Sequence, residues 1–492
     1  MSDKVRVRYA PSSTGFLHLG ALRTALYNYL FARANDGVFI LRIEDTDRKR
    51  VVEGSIEDIK ENIEWAGLTI DEGPGIGGGY GPYIQSKRKD IYNKYANELL
   101  ESGHAYKCFC TAERLEEMRK IQKLQKKAPG YDRLCRNLSK EEIEEKEKSG
   151  APYVVRFKMP LEGETIVNDK IRGKIVINNS TLQDSVILKS DNFPTYHLAA
   201  VVDDNLMEIS HVLRGEEWIN STPLHIQLYN AFGWSPPIFA HLPVILSSTG
   251  KGKMSKRDGD TMVKDYIRKG YLPQAMINFL VNLGWALDDK TEIYDLKELE
   301  NIFSIEKIGK AAPRFQLDKL NHFNEYYIRK LSIDEFLENA KPFLKEDGLN
   351  PDTMTPEELE KLKSALEIIQ ERITLLSDTA KWIKFFFEDE LQYENPQELI
   401  QKKMDKEKAI NLLEELKILI NNEQKLDKST LESKIKELQE KTGIKGRPFF
   451  MTIRIAITGS KVSPPLYESI IILGKEKTLK HIQKSIDTIK SL

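Results

Sequence analysis

The sequence predicts an α/β parallel-sheet domain at the N-terminus, interrupted by an α+β insertion and followed by an all-helical C-terminal half. Three observations predict it. Residues 5–43 read strand, loop, helix, strand, a βαβ unit that requires parallel pairing. Residues 85–190 mix helix and strand differently from their flanks, and from about 265 onward the pattern is nearly all helical.

The elements follow in order. Val5-Arg-Val-Arg-Tyr9 alternates apolar and polar residues, as a strand does. The loop Ala10-Pro11-Ser12-Ser13-Thr14-Gly15 precedes Leu19, Leu22, Leu26, Tyr29 and Leu30, which recur at helical spacing until Asn35-Asp36-Gly37 stops the helix. Val38 to Ile43 is a second, wholly apolar strand apart from Arg42. The glycine-rich stretch 73–81 opens no helix at the required spacing and reads as a turn-rich connection, not a dinucleotide-binding loop. Residues 113–127 and 139–149 are charged helices, and 153–158 and 174–177 are strands. Parallel-sheet features return at Tyr196 to Asp204 and at Val244-Ile245-Leu246. Lys/Glu-rich helices fill 353–375 and 401–441. Domain boundaries are expected near 330 and, less sharply marked, near 380–400.

Composition bounds the function. Hydrophobic residues make up 40% and charged residues 30% of 492, enough for a sizeable core and against disorder. The net charge of −1 decides nothing about nucleic acid, but residues 441–492 hold ten Lys or Arg against three Asp or Glu. There is no apolar signal-peptide core and no 18-residue apolar run, so a cytoplasmic protein without a membrane span is expected. The cysteine count of 3 excludes a disulfide scaffold.

Two motifs carry phosphate chemistry. Thr14-Gly-Phe-Leu-His-Leu-Gly20 lies where strand gives way to helix, so backbone N–H groups and the helix dipole favour an anion there. His18 can donate to a phosphate, and Gly20 leaves room for a flat ring. Lys253-Met-Ser-Lys256-Arg257 lies beside small residues, and its lysines can neutralise charge on a transferring phosphoryl group. Each alone also reads as an ordinary helix start or a solvated basic loop. Cys108, Cys110 and Cys135 fall within one short segment, which suggests zinc in a reduced compartment; three reduced structural thiols is the other reading.

In order and separation the two motifs match the paired signatures of class I aminoacyl-tRNA synthetases. The string from Arg8 to Gly20 resembles the opening of glutamyl-tRNA synthetases of the bacterial type. Further matches are Arg42-Ile-Glu-Asp-Thr-Asp47, Gln85-Ser-Lys-Arg88, Pro194-Thr-Tyr-His-Leu-Ala199, Val202-Asp-Asp204, Arg214-Gly-Glu-Glu-Trp218 and Ala240-His-Leu-Pro243. Ser13 departs from the family's proline. Glutaminyl relatives carry an acidic residue where this chain has Ser12, which favours the glutamyl reading.

The resemblance implies a Rossmann-type catalytic domain in two parts (1–85 and 190–265), an inserted acceptor-arm-binding domain (86–189), a stem-contact helical domain (266–330) and an all-helical anticodon-binding region (331–492). It implies glutamate–tRNA ligase activity: ATP and L-glutamate form glutamyl-adenylate, and the terminal ribose of tRNA(Glu) takes the glutamyl group. His18, Lys253 and Lys256 would be catalytic. Ser12, His18, Gly20, Glu217, Trp218 and Lys256 would bind ATP, with Mg²⁺. Arg8, Ala10, Ser12, Glu44, Tyr196 and Arg214 would bind glutamate, since arginine suits a carboxylate. Without the resemblance, Arg8 and Glu44 also read as a simple ion pair between neighbouring strands. Ala200 stands where some relatives have asparagine. Some relatives have a histidine two residues after the last cysteine, where this chain has Asn137. Tyr131 matches a tyrosine-liganded version, so the zinc set expected is Cys108, Cys110, Tyr131 and Cys135. Phe449 and Phe450, in a late family motif, read either as base-stacking or as core residues. A monomer is the family expectation; whether tRNA(Gln) is also charged stays open.

Overall fold

A computed structural model describes residues 4–254, 261–402 and 404–492. The chain folds as two compact units, one holding residues up to Asp265 with Met276–Leu317, the other Tyr266–Ala275 with Asp318–Leu492. The boundary expected near 330 lies inside the second unit.

In the first unit, β1 (Arg6–Tyr9) pairs in parallel with β2 (Val38–Leu41), and α1 (Leu19–Arg33) makes the crossover. All four residues of each strand are buried, as expected where helices cover both faces. Gly37 ends the crossover: its N–H bonds Ala32 O at 2.7 Å, after Asp36 at φ 49°. A second parallel pair, β8 (His211–Gly215) and β9 (Ile238–Leu242), lies beside β1, where Ser210 N–H bonds Arg6 O at 3.0 Å. Open α/β sheets bind ligands at the carboxyl ends of their strands.

Two expectations are corrected. Residues 196–204 are not part of the sheet but lie in a helix, α6 (Tyr196–Leu206). Leu198 to Asp204 are all buried, and an apolar run buried on every side has no period that separates helix from strand. Val244-Ile245-Leu246 lies beyond the end of β9, where Leu246 makes only isolated bridges to Lys253 and Arg314. The glycine-rich stretch is a turn: Gly73 and Gly77 bond each other reciprocally at 3.1 Å. Gly78, at φ 126°, tolerates no side chain, because a Cβ there would lie 2.2 Å from the Tyr83 hydroxyl.

The inserted segment builds an antiparallel sheet of β3 (Ala105–Cys108), β4 (Val154–Phe157) and β7 (Val186–Leu188). Its charged helices are α4 (Ala112–Leu124) and α5 (Lys140–Lys148), and neither buries a residue. The hairpin of β5 (Glu164–Asp169) and β6 (Gly173–Asn178) joins the β8–β9 sheet instead, β5 meeting β9 in parallel at Asp169 and Phe239. Tyr92, Phe157 and Ile187 of the segment share a core with Leu198, Val202 and Val212, so segment and sheet pack as one.

The second unit is helical. Its helices include Ile333–Glu346, Pro356–Glu367, Lys406–Asn422, Lys428–Thr442, Arg447–Thr458 and Leu466–Ser491, the last kinked at Gly474. Pro448 in the first turn and Gly459 beyond the last set the ends of Arg447–Thr458. Among the described residues, no helix is long and apolar enough to cross a membrane.

Candidate functional site

A cavity of about 770 Å³ opens at the carboxyl ends of β1, β2 and β8. It gathers eleven of the residues expected from sequence: Arg8, Ala10, Ser12, His18, Gly20, Glu44, Tyr196, Arg214, Glu217, Trp218 and Lys253. Lys256 lies outside the described residues.

The phosphate end begins at His18, the N-cap of α1. Its extended backbone (φ −102°, ψ 161°) turns the ring back so that Nδ1 accepts Ala21 N–H at 3.2 Å. The remaining proton then sits on Nε2. Desolvation against the cavity wall, helped by Lys253, holds this still solvent-accessible ring below its ordinary pKa, so His18 is a neutral donor at pH 7. A Cβ at Gly20 would lie 3.4 Å from that ring, so the glycine keeps the helix surface beside His18 bare. Lys253 reaches Glu217 at 3.1 Å, and Glu217 folds back over Gly215, where a Cβ would lie 2.0 Å from its Oε2. The exposed Ser12 hydroxyl meets Thr14 Oγ1 at 2.9 Å. Trp218, 38% exposed, lies 4.2 Å from the Tyr196 ring, centroid to centroid.

The other end is ionic. Arg8 and Glu44 are not the ion pair that strand adjacency allowed. Arg8 Nε donates to Asp204 Oδ1 at 2.9 Å, while Glu44 accepts from Arg42 Nη2 at 3.0 Å. Arg8 lies opposite Ile40 while Glu44 lies beyond the end of β2, and the helix α6 inserts Asp204 between the two arginines: Arg42 Nη1 reaches the same Oδ1 at 2.7 Å. Burial pushes the Glu44 carboxyl up, with Arg42 and then Arg8 opposing, so it faces the cavity as a partly compensated acceptor. Asp203, the neighbouring acid, is saturated by Arg88, Gln85 and Tyr92 at 2.8–2.9 Å.

Arg214 differs from these arginines. It is buried, not part of a surface cluster with Glu216 and Glu217, which turn to Arg172 and Lys253. Its Nε donates to His241 Nε2 at 3.0 Å, Nη1 to Tyr196 Oη at 2.9 Å and Nη2 to Thr222 Oγ1 at 2.9 Å. Nη1 also meets His225 Nδ1 at 3.3 Å. Burial, then Arg214 itself, keeps His225 well below its ordinary pKa. Every one of these partners is neutral, and among the described residues no carboxylate lies within 4.0 Å of the guanidinium. A buried cation without a counter-ion is strongly disfavoured; a bound carboxylate completes it.

Thr222 and His225 were not read as site residues from sequence, and Asp204 and His241 stood only within matched strings. Asp204 carries a faint signal: two adjacent acids in an apolar run need buried partners.

In the inserted segment, Cys108, Cys110 and Cys135 present sulfurs within 4.8 Å of one another, with no disulfide. Cys110 Sγ is 3.6 Å from Cys135 Sγ, and Tyr131 Oη is 3.2 and 3.7 Å from the sulfurs of Cys108 and Cys110. A tetrahedral zinc with bonds near 2.3 Å spaces its sulfurs by roughly 3.8 Å, so the donor set fits. Asn137 ends the short 3₁₀ turn Leu134–Asn137 that carries Cys135. Arg114 Nη1 lies 3.5 Å from Cys110 Sγ and Arg156 3.8 Å over the Tyr131 ring, two cations beside the thiols.

Residues 4–322 match the family model "tRNA synthetases class I (E and Q), catalytic domain", and residues 335–486 match "Anticodon binding domain". The chain is 47% identical over 487 residues to a glutamate–tRNA ligase of Borrelia recurrentis (strain A1), covering 99% of this chain and 96% of that protein. It is 46% identical over 499 residues to one of Dehalococcoides mccartyi (strain ATCC BAA-2266 / KCTC 15142 / 195), covering all of both. A glutamate tRNA ligase from Elizabethkingia meningosepticum CCUG26117, solved in complex with its amino acid, superposes with a TM-score of 0.87 at 39% identity, covering 99% of this chain and 100% of that one. Matched from end to end in sequence and fold, the chain belongs to the glutamate–tRNA ligase family of class I tRNA synthetases.

Proposed function

We propose that the chain activates L-glutamate with ATP and transfers the glutamyl group to the 3′-terminal ribose of tRNA(Glu). The observation that carries this reading is Arg214: a buried guanidinium with neutral partners only, facing the cavity that also holds His18 and Lys253. The glutamate side-chain carboxylate supplies its missing anion, and Glu44 receives the α-ammonium while Arg8 stands behind. The α-carboxylate attacks the α-phosphorus of ATP and pyrophosphate leaves. The 2′-hydroxyl of the terminal ribose then attacks the mixed anhydride, releasing AMP. No protein nucleophile takes part. Neutral His18 donates from Nε2 to a phosphate oxygen, and Lys253, joined by Lys256, neutralises charge on the departing pyrophosphate. Ser12, Gly20, Glu217 and Trp218 complete the ATP side, Ala10 and Tyr196 the glutamate side. Mg²⁺ accompanies ATP.

The donor geometry at Cys108, Cys110, Tyr131 and Cys135 supports a structural zinc, and the charges of Arg114 and Arg156 offset those of four deprotonated ligands. We assign the chain to the cytoplasm, as a monomer. Attachment of labelled glutamate to purified tRNA(Glu) and tRNA(Gln), with and without ATP, tests the function. ATP-dependent charging of tRNA(Glu) is the expected result, and charging of tRNA(Gln) as well would define a non-discriminating enzyme. Charging of neither by folded protein would overturn the reading.

A further inference from the structure

Asp169 ends β5, in the inserted segment, and reaches into the catalytic sheet. Its Oδ2 lies 2.6 Å from His241 Nδ1 and accepts the His241 backbone N–H at 3.1 Å. Both side chains are fully buried. On the far side of the ring, His241 Nε2 is 3.0 Å from Arg214 Nε. A guanidinium N–H can only donate, so Nε2 must be bare and the ring proton must sit on Nδ1, facing Asp169. The charges agree. Burial holds His241 below its ordinary pKa against the pull of Asp169, so the ring is neutral. Asp169 is held below the usual carboxylate range: burial raises it, but the bonds from His241 and the N–H groups of Arg172 and Ile171 outweigh that.

We propose that Asp169 is a positioning residue of the glutamate pocket, selecting the Nδ1–H tautomer of His241 so that Nε2 anchors Arg214 with its charge left uncompensated. The proposal rests on Arg214 receiving the substrate carboxylate. The interposed imidazole matters. A carboxylate placed directly on Arg214 would orient it equally well but neutralise it, as Asp204 does for Arg8. A neutral ring passes on the orientation and withholds the charge. His225 repeats the device on Nη1, its Nε2 lying 3.1 Å from His197 Nδ1, but no carboxylate backs that pair among the described contacts. Asp169 is therefore the inserted segment's contact with the His241 ring, beside Arg172, whose Nε donates to the His241 carbonyl at 3.3 Å.

The test is steady-state charging by the full chain with substitutions at both positions. In Asp169→Asn the amide N–H faces Nδ1, favouring the opposite tautomer, whose Nε2–H opposes the Arg214 Nε–H. The glutamate KM should rise about tenfold or more while the ATP KM stays within about twofold. His241→Leu, which removes the acceptor, should reproduce that rise. His241→Gln, which keeps an acceptor near the Nε2 position, should not, and adding Asp169→Asn to it should change the glutamate KM by less than about twofold. Parallel rises in both KM values, or a lowered thermal midpoint with an unchanged glutamate KM, would mean a merely structural role and overturn the proposal. If Arg214→Ala raises the glutamate KM and both Asp169→Asn and His241→Leu do not, the proposal falls and the Arg214 reading stands. If Arg214→Ala also leaves it unchanged, the reading falls and takes the proposal with it.

Discussion

Arg8 turns its Nε to Asp204, 2.9 Å from Oδ1, and leaves Glu44 free to face the cavity. Asp204 also holds Arg42 at 2.7 Å, so one buried carboxylate keeps two arginines in place. Burial pushes the Asp204 carboxyl up, but Arg42 and Arg8 hold it below the usual carboxylate range. Asp204→Asn keeps the shape and removes the charge. Breaking a buried ion pair on one side costs about 3–5 kcal/mol, so the urea midpoint should fall markedly. The released Arg8 should then pair with Glu44 and raise the glutamate KM. An unchanged midpoint would contradict this reading of Asp204.

Acid should destabilise the native state well before carboxylates titrate. Six of the eight histidines, at 18, 197, 211, 225, 241 and 481, are held below their ordinary value, burial being the largest cause in each. His197 is pushed down to about 4 by burial and then Arg214. The unfolded chain therefore binds more protons than the native one from about pH 6.5 downward, and stability falls as pH falls through that window. Thermal midpoints measured between pH 7.5 and 5 check it. His197→Asn should flatten the slope by up to one proton, and a midpoint that rises on acidification would refute the sign.

Purified chain should carry one zinc per molecule. Cys135→Ser should release it and destabilise the inserted segment, where Cys135 packs in a small cluster with Tyr106 and Cys108. Metal analysis beside the melting curve decides, and protein with no stoichiometric zinc would leave three reduced thiols as the account.

Phe449 and Phe450 are neighbours with opposite environments, 0% and 37% exposed. Phe449→Ala should lose about 3–5 kcal/mol of stability, the usual range for a buried aromatic. Phe450→Ala should leave stability nearly unchanged and weaken tRNA binding by about 1–3 kcal/mol if that ring stacks on a base. Equal stability losses in the two variants would rule out this division of roles.

The first βαβ unit was legible from its punctuation, the loop from Ala10 to Gly15 and the stop at Asn35-Asp36-Gly37, since α1 buries eleven of its fifteen residues and both strands are buried throughout. Local motifs likewise revealed His18, Glu44 and Lys253, whose neighbours in the chain are also their neighbours in the cavity. What escaped was set by tertiary contact. The helix at Tyr196–Leu206 hid because burial on every side erases amphipathic periodicity. Asp204 and Asp169 hid because their partners lie 196 and 72 residues away, and a lone acid announces nothing about which base it will meet. The Arg8–Glu44 pairing failed for the same reason: the register sets Arg8 opposite Ile40 and leaves Glu44 beyond the end of β2, and a third element took Arg8.

The central claim is that Arg214 is a buried cation whose anion is the substrate. Charging of tRNA(Glu) at varied glutamate by Arg214→Ala tests it most directly. Truncating one side of a buried charged contact costs about 3–5 kcal/mol, so kcat/KM for glutamate should fall about 150- to 5,000-fold, with the thermal midpoint of the substrate-free protein held or raised. A kcat/KM for glutamate close to that of the unaltered chain would contradict the account.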